Sequence, residues 1–208
     1  MTETPNSDAL VDPVVVGVIE DVREADESQT YFDPDPKAHR DFGYPISDAQ
    51  GQLLYVLARA IGATRVVEFA TSIGISTLYL AAAVRDNGGG VVVGSEIVHE
   101  KVERARNNIA RAGLTDFTEV REGNGLVTLQ DVDGPIDLVL LDGWPVKERP
   151  SIDRRVLELL VPRMRPGALL FDDNGESDVI EFLREPNSGF RSVGVPLDRG
   201  SMEIAVKL

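Results

Sequence analysis

The sequence contains no cysteine, which excludes disulfides, thiolate metal sites and cysteine nucleophiles and leaves a bridge-stapled secreted design without support. Histidine is scarce too: His39 and His99 are the only two, and the plain reading of each is a solvated loop or helix-end residue. Positive charge is in short supply. Against 35 Asp and Glu there are 21 Lys and Arg, a formal net charge of -14, so the field of the molecule repels phosphate backbones and nucleic acid is not an expected partner. No stretch offers about 18 continuous apolar residues. The first residues, "MTETPNSDALVDPVVVGVIED", lack a basic region ahead of their short apolar run, so a soluble cytoplasmic protein with no membrane partner is expected.

What is present suffices for one sizeable core. A chain of 208 residues, 42% of them hydrophobic, is long enough for a single large domain and too short for a second full one. Residues 1–45 read as a leader, with one helix from about Asp8 to Glu24 and then a proline-rich acidic stretch, "YFDPDPKAHRDFGYP", that blocks regular structure. Residues 46–208 read as the main domain. At Ser47 the pattern changes: "SDAQ" is a Ser-x-x-Gln capping box ahead of an apolar-periodic helix.

Then strands and helices alternate. "RVVEFA" (65–70), "VVVGS" (91–95), "IDLVLLD" (136–142) and "GALLFD" (167–172) are short and apolar on both faces, as strands covered on two sides must be. Helical patterns fall at about 75–86, 98–112, 151–164 and 177–185, with a weaker strand near 117–121. This order predicts an α/β fold with a doubly wound, mostly parallel sheet. "FRSVGVPL" and "SMEIAVKL" are separated by only Asp198-Arg199-Gly200, too short for a parallel crossover, so the last strand is expected to run antiparallel.

In such sheets ligands bind beyond the carboxyl ends of the strands, and the residues there define the chemistry. The first loop, "EFATSIGIST", is a poor phosphate cradle. The positions a GxGxxG turn would fill with glycine hold Ala70, Ser72 and Ile75, Gly74 is its one glycine, and Glu68 adds negative charge. It suits better a nucleoside with a cationic or zwitterionic end, such as S-adenosylmethionine, for which Ser72, Ser76 and Thr77 supply hydroxyls. Glu96, 28 positions after Glu68, can accept hydrogen bonds from ribose hydroxyls; its alternative is a helix N-cap or first-turn carboxylate answering a helix dipole. Asp142 ends one strand, and Asp173 and Asn174 end the next in "LFDDNGE". Three oxygen donors at one rim suit a hard cation such as Mg²⁺. Alternatively, Asp172 and Asp173 cap the helix near Ser177.

"VVEFATSIGIST", "GSEIVHEKVERARNNIARAGL", "IDLVLLDGW" and "RPGALLFDDN" together resemble the cation-dependent class I O-methyltransferases of the catechol and caffeoyl-CoA type, over about residues 44–208. The resemblance implies a seven-stranded methyltransferase sheet, S-adenosylmethionine as methyl donor and a divalent metal gathering two substrate oxygens. By position it implies Asp142, Asp173 and Asn174 as metal ligands and Glu96 as the ribose acid. It also puts Ile46, Ser76 and Glu68 on the methionine side, and Gly123, Asn124, Gly143 and Trp144 around the adenine.

Two departures stand out. The family's first glycine is Ala70. Pro145 stands where catechol-type members place a general-base lysine, leaving Lys147 or His39 as candidate bases. The expected reaction is methyl transfer to a hydroxyl of a small acceptor with neighbouring oxygens: a catechol, a hydroxylated natural product or a sugar diol. An NAD(P)-dependent oxidoreductase, a metal-independent methyltransferase and a noncatalytic binding protein of the same fold are the competing readings. A homodimer is expected, with Leu10, Val14, Val15 and Ile19 on the first helix forming its interface or packing on their own subunit.

Overall fold

The computed structural model describes residues 9–26, 35–143, 148–173, 175, 177–198 and 200–208. The first helix, α1 (Pro13–Ala25), begins later than its apolar pattern suggests. Asp12 caps it, accepting from the Val14 and Val15 amides at 2.9 and 3.2 Å, and Pro13 fills the first turn, where its missing N–H is no loss. Leu10, Val15 and Ile19 are buried in their own chain's core, while Val14 stays 57% exposed. Helix α2 (Asp48–Ala60) starts at the capping box foreseen at Ser47 and Gln50.

Seven strands form one sheet: β1 (Arg65–Phe69), β2 (Val91–Glu96), β3 (Thr118–Glu122), β4 (Ile136–Leu141), β5 (Met164–Asp173), β6 (Phe190–Pro196) and β7 (Ser201–Lys207). Their order is β3-β2-β1-β4-β5-β7-β6. Strands β1 to β5 pair in parallel, and β7 runs antiparallel between β5 and β6. Helices α3 (Ile75–Asp86), α4 (His99–Arg111), α5 (Gly125–Thr128), α6 (Ile152–Leu160) and α7 (Ser177–Arg184) cover the two faces. Alternate residues of the central strands feed opposite cores: Val66, Leu138 and Leu140 join α1 to α4, while Val67, Val139 and Leu141 join α6 and α7. That division explains why these strands lack polar alternation.

The doubly wound α/β expectation holds, including the direction of the last strand. β5 begins three residues earlier than its apolar run, at Met164, because its first residues join through backbone pairing with Ile136 ahead of a register irregularity. The strand order reverses at β1, which has β2 on one side and β4 on the other. That switch point opens a crevice at the carboxyl ends of β1 and β4. No helix among the described residues is long and apolar enough to cross a membrane.

The opposite end of the sheet is tied by Asp137. Its carboxylate accepts from the Thr64 and Arg65 amides at 2.8 and 2.9 Å and from Arg165 Nε at 2.6 Å. Burial pushes its pKa up, but the Arg165 bond and the two amides outweigh this and hold it below the usual carboxylate value. Asp137→Ala, which strands Arg165 and two amides, is expected to lower unfolding free energy by about 2 to 3 kcal/mol in denaturant titrations. Because the folded pKa is depressed, this stabilisation is present above the unfolded carboxylate pKa and fades as pH falls through the lower folded value.

Candidate active site

The loop after β1 is held in an uncommon backbone. Ala70 and Ser72 have φ of 67° and 50°, and facing them across the crevice Tyr44 has φ of 46°. Left-handed conformations at non-glycine residues cost roughly 1 to 3 kcal/mol each and concentrate at ligand clamps. Ala70 therefore occupies a position whose backbone favours glycine, a more demanding departure than the extra methyl alone. The loop is pinned to the leader: Ser72 Oγ donates to the Gly43 carbonyl at 2.6 Å, and the Gly43 amide donates to Asp26 Oδ1 at 2.6 Å. A Cβ at Gly43 would lie 2.1 Å from Ile73 Cδ1, so this strap approaches the loop as closely as glycine permits. Ile46, Ala70, Ser72, Ser76 and Asp142 line one cleft, with Tyr44 of the strap on its wall.

Beneath the cleft lies Glu68, fully buried, with Thr77 Oγ1 donating to its Oε2 at 2.6 Å. Burial drives its pKa upward against the Ser76, Thr77 and Thr71 hydroxyls, and the charge of Glu96 adds to the rise. Gly74, at φ 89°, leads into α3 and has the Ala105 methyl 3.2 Å from where its Cβ would stand. Glu96 reaches the same loop: its Oε2 accepts from the Ser72 amide at 2.8 Å, and its Oε1 from the Ile97 and Val98 amides at 2.8 and 2.9 Å. Both of those amides precede α4 (His99–Arg111), whose N-cap Val98 makes no side-chain cap bond and whose first-turn acid is Glu100, so Glu96 does not act as the cap or first-turn carboxylate of that helix. A carboxylate offers about four lone-pair directions, so Oε2, with one donor shown here, retains acceptor capacity toward the crevice.

Gly123, at φ 137°, donates its amide to the Glu96 carbonyl at 2.8 Å. Asn124 caps α5 through the Leu126 amide at 2.9 Å. Gly143 donates its amide to Asp153 Oδ1 at 2.9 Å, and a Cβ there would fall 2.2 Å from Asp153 Oδ2.

Asp142 and Asp173 meet at the rim. Asp142 is partly open to the cleft, yet surrounding protein desolvates its carboxyl. That desolvation pushes its pKa well up, and the charges of Asp173, Asp153, Glu68 and Asp172 push it further. Asp172, buried beside Glu203 of β7, contributes charge to the cluster from the neighbouring strand. A hard cation among such oxygen donors would lower the repulsion, so the donor set fits a divalent ion. Among the described residues no three His, Cys, Asp or Glu side chains are arranged as a metal-holding group. Asn174, the third expected ligand, lies outside the described residues, as do Trp144 and Lys147.

His39 is 3% exposed, and its Nδ1 pairs with the Tyr44 hydroxyl at 2.8 Å under the strap. His99 is an exposed helix-end residue, as expected, and its hydrogen bond to Glu122 at 3.0 Å raises its pKa. Two residues near the cleft went unread in the sequence. Lys101 of α4 is 5% exposed, with Nζ 5.9 Å from the Tyr44 ring centroid. Burial lowers its pKa, while Glu96, Asp26 and Asp142 draw it back up. Asp153 sits in the first turn of α6 behind the Ser151 cap. Only the spacing of Ser151 and Asp153 at a helix start signalled it, and that pattern is shared by ordinary caps.

A sheet of this order, with a cleft at its switch point and acids closing β1, β2, β4 and β5, defines the class I methyltransferase fold. The chain belongs to the methyltransferase-domain family, whose model matches residues 67–174. It is 32% identical over 150 residues to a catechol O-methyltransferase of Mycobacterium tuberculosis, covering 67% of this chain and 66% of that one. A catechol O-methyltransferase of Niastella koreensis is 30% identical over 133 residues, covering 62% of this chain and 57% of its own. The chain thus spans roughly three fifths to two thirds of these relatives' lengths. Among solved structures, the O-methyltransferase from Bacillus cereus in complex with SAH superposes with a TM-score of 0.71 at 24% identity, covering 96% of this chain and 93% of that one.

Proposed function

We propose that this protein transfers a methyl group from S-adenosylmethionine to a hydroxyl of a small acceptor with neighbouring oxygens, and that a divalent cation such as Mg²⁺ takes part. The observation that carries this reading is the convergence of Asp142 and Asp173 beside the cleft lined by Ile46, Ala70, Ser72 and Ser76. Its similarity to two catechol O-methyltransferases supports it. Asp142 and Asp173, with Asn174 by its place in the chain, are the residues that would hold the cation. When bound, the cation supplies Lewis acidity toward one acceptor hydroxyl and a fixed point for a second oxygen.

The chain's own residues do the rest. Glu96 accepts from the ribose hydroxyls through the capacity left on Oε2. Ser72 and Ser76 hold the methionine end, Glu68 lies beneath the sulfonium side, and Gly123, Asn124, Gly143 and Trp144 surround the adenine. The strap around Tyr44 keeps water from the cleft and orients the acceptor against the methyl group. As the acceptor's O–CH₃ bond forms, the C–S bond of the sulfonium breaks and S-adenosylhomocysteine leaves. The hydroxyl proton passes to a base, for which Lys147 and His39 are the candidates. A cytoplasmic homodimer completes the reading, with the exposed Val14 of α1 and Val11 just ahead of that helix as the surface available for it.

A methyl-transfer screen over catechols, hydroxylated natural products and sugar diols, read as a 14-unit mass gain (the mass of one CH₂), tests the reading. Gain with a vicinal diol and S-adenosylmethionine supports it. Binding of NAD(P) in place of S-adenosylhomocysteine contradicts it.

A further inference from the structure

The capping box that opens α2 uses only half of its glutamine. Gln50 is 2% exposed, and its Oε1 accepts from the Ser47 amide at 2.7 Å. That bond fixes which way the carboxamide faces, since the Ser47 N–H needs an oxygen. The Nε2 is therefore turned outward from the helix, where it donates to Asp173 Oδ1 at 2.5 Å. Ser47 Oγ closes the box by accepting from the Gln50 amide at 3.2 Å and donates in turn to Asp198 Oδ1 at 2.6 Å. A continuous polar chain thus runs from the β6–β7 turn through the start of α2 to the last residue of β5.

Capping needs the oxygen of residue 50 and makes no use of its nitrogen. A glutamate would close the same box, but it would set another carboxylate against Asp173 at a rim already crowded with negative charge. A glutamine there supplies a donor, neutral and rigidly held, to Asp173, the carboxylate that ends β5. We propose that Gln50 is a positioning residue: by holding Asp173 Oδ1 it sets the orientation in which Asp173 and Asp142 together accept a divalent cation. This rests on the cation-dependent reading above.

The test is Mn²⁺ binding, followed by electron paramagnetic resonance, to the full chain saturated with S-adenosylhomocysteine, in wild type, Gln50→Met and Ser47→Ala. Ser47→Ala weakens the helix cap but leaves the Ser47 amide, and with it the facing of Gln50. Both variants are expected to melt at lower temperature. Gln50→Met is expected to weaken Mn²⁺ binding by about tenfold or more, the scale seen when groups that orient metal ligands are removed, while Ser47→Ala stays within about twofold of wild type.

Unchanged Mn²⁺ affinity in Gln50→Met, or an equal loss in Ser47→Ala, overturns the positioning role. If wild type itself binds no Mn²⁺, the cation-dependent reading has failed and this inference falls with it. Should Gln50→Met not fold, Gln50→Glu keeps the cap acceptor and removes the donor. It is expected to melt below wild type, because a second buried carboxylate faces Asp173, and to lose about tenfold or more in kcat/KM for the acceptor at saturating Mn²⁺; wild-type kcat/KM would overturn the role.

Discussion

Asp142→Ala is expected to reduce methyl transfer by about 10³-fold or more while changing S-adenosylmethionine affinity by less than about tenfold. The side chain closes β4 at the cleft and faces the charges of Asp173, Asp153, Glu68 and Asp172. Removing it takes a charged oxygen donor from the proposed cation site, and Lewis-acid stabilisation of several kcal/mol corresponds to three or more decades in rate. The proposed ribose and methionine contacts are Glu96, Ser72 and Ser76, and those proposed for the adenine are Gly123, Asn124, Gly143 and Trp144, none of them the Asp142 side chain, so binding and turnover are expected to separate. Stopped-flow or mass-read turnover alongside cofactor calorimetry checks both halves. A variant with near-normal kcat would remove Asp142 from the chemistry.

The second large effect belongs to the cofactor. Glu96→Gln is expected to weaken S-adenosylhomocysteine binding by about 10²-fold, since hydrogen bonds from a ligand to a charged acceptor contribute roughly 1.5 to 3 kcal/mol each. The amide keeps one oxygen for the Ile97 and Val98 N–H groups, which the present carboxylate already satisfies. The other position becomes a donor set against the Ser72 amide and the ribose hydroxyls. Melting temperature should fall only slightly. If calorimetry shows affinity unchanged, Glu96 only ties the loop after β2 to the loop after β1 through the Ser72, Ile97 and Val98 amides.

The fold was legible because its signals are local and redundant. "RVVEF", "VVVGSE" and "IDLVLL" are too apolar for one-sided strands, and the Ser47–Gln50 box marks the start of α2 without reference to the rest of the chain. α1 was placed early because its apolar pattern says nothing of the Asp12–Pro13 cap that delays it. In the site, Ile46, Ala70, Ser72, Ser76 and Asp142 meet in one cleft because each follows a strand, or precedes or opens a helix, at a single end of the sheet. What did not show was anything that depends on burial. Lys101 sits in a helix crowded with Arg and Glu, where only the folded strap reveals that it is covered. The second use of Gln50 needs a partner 123 residues away, a distance over which no local pattern speaks. What the backbone demands at Ala70 is visible only in its φ of 67°.

The central claim is that the carboxylates closing β4 and β5 are gathered for a divalent cation that methyl transfer requires. It is tested most directly by assaying transfer to a vicinal diol acceptor after exhaustive chelation, then after return of Mg²⁺. The account predicts that turnover disappears with the metal and is restored by it, while S-adenosylhomocysteine affinity, measured in a parallel binding titration, is the same with and without chelator. Full turnover in excess chelator would contradict it.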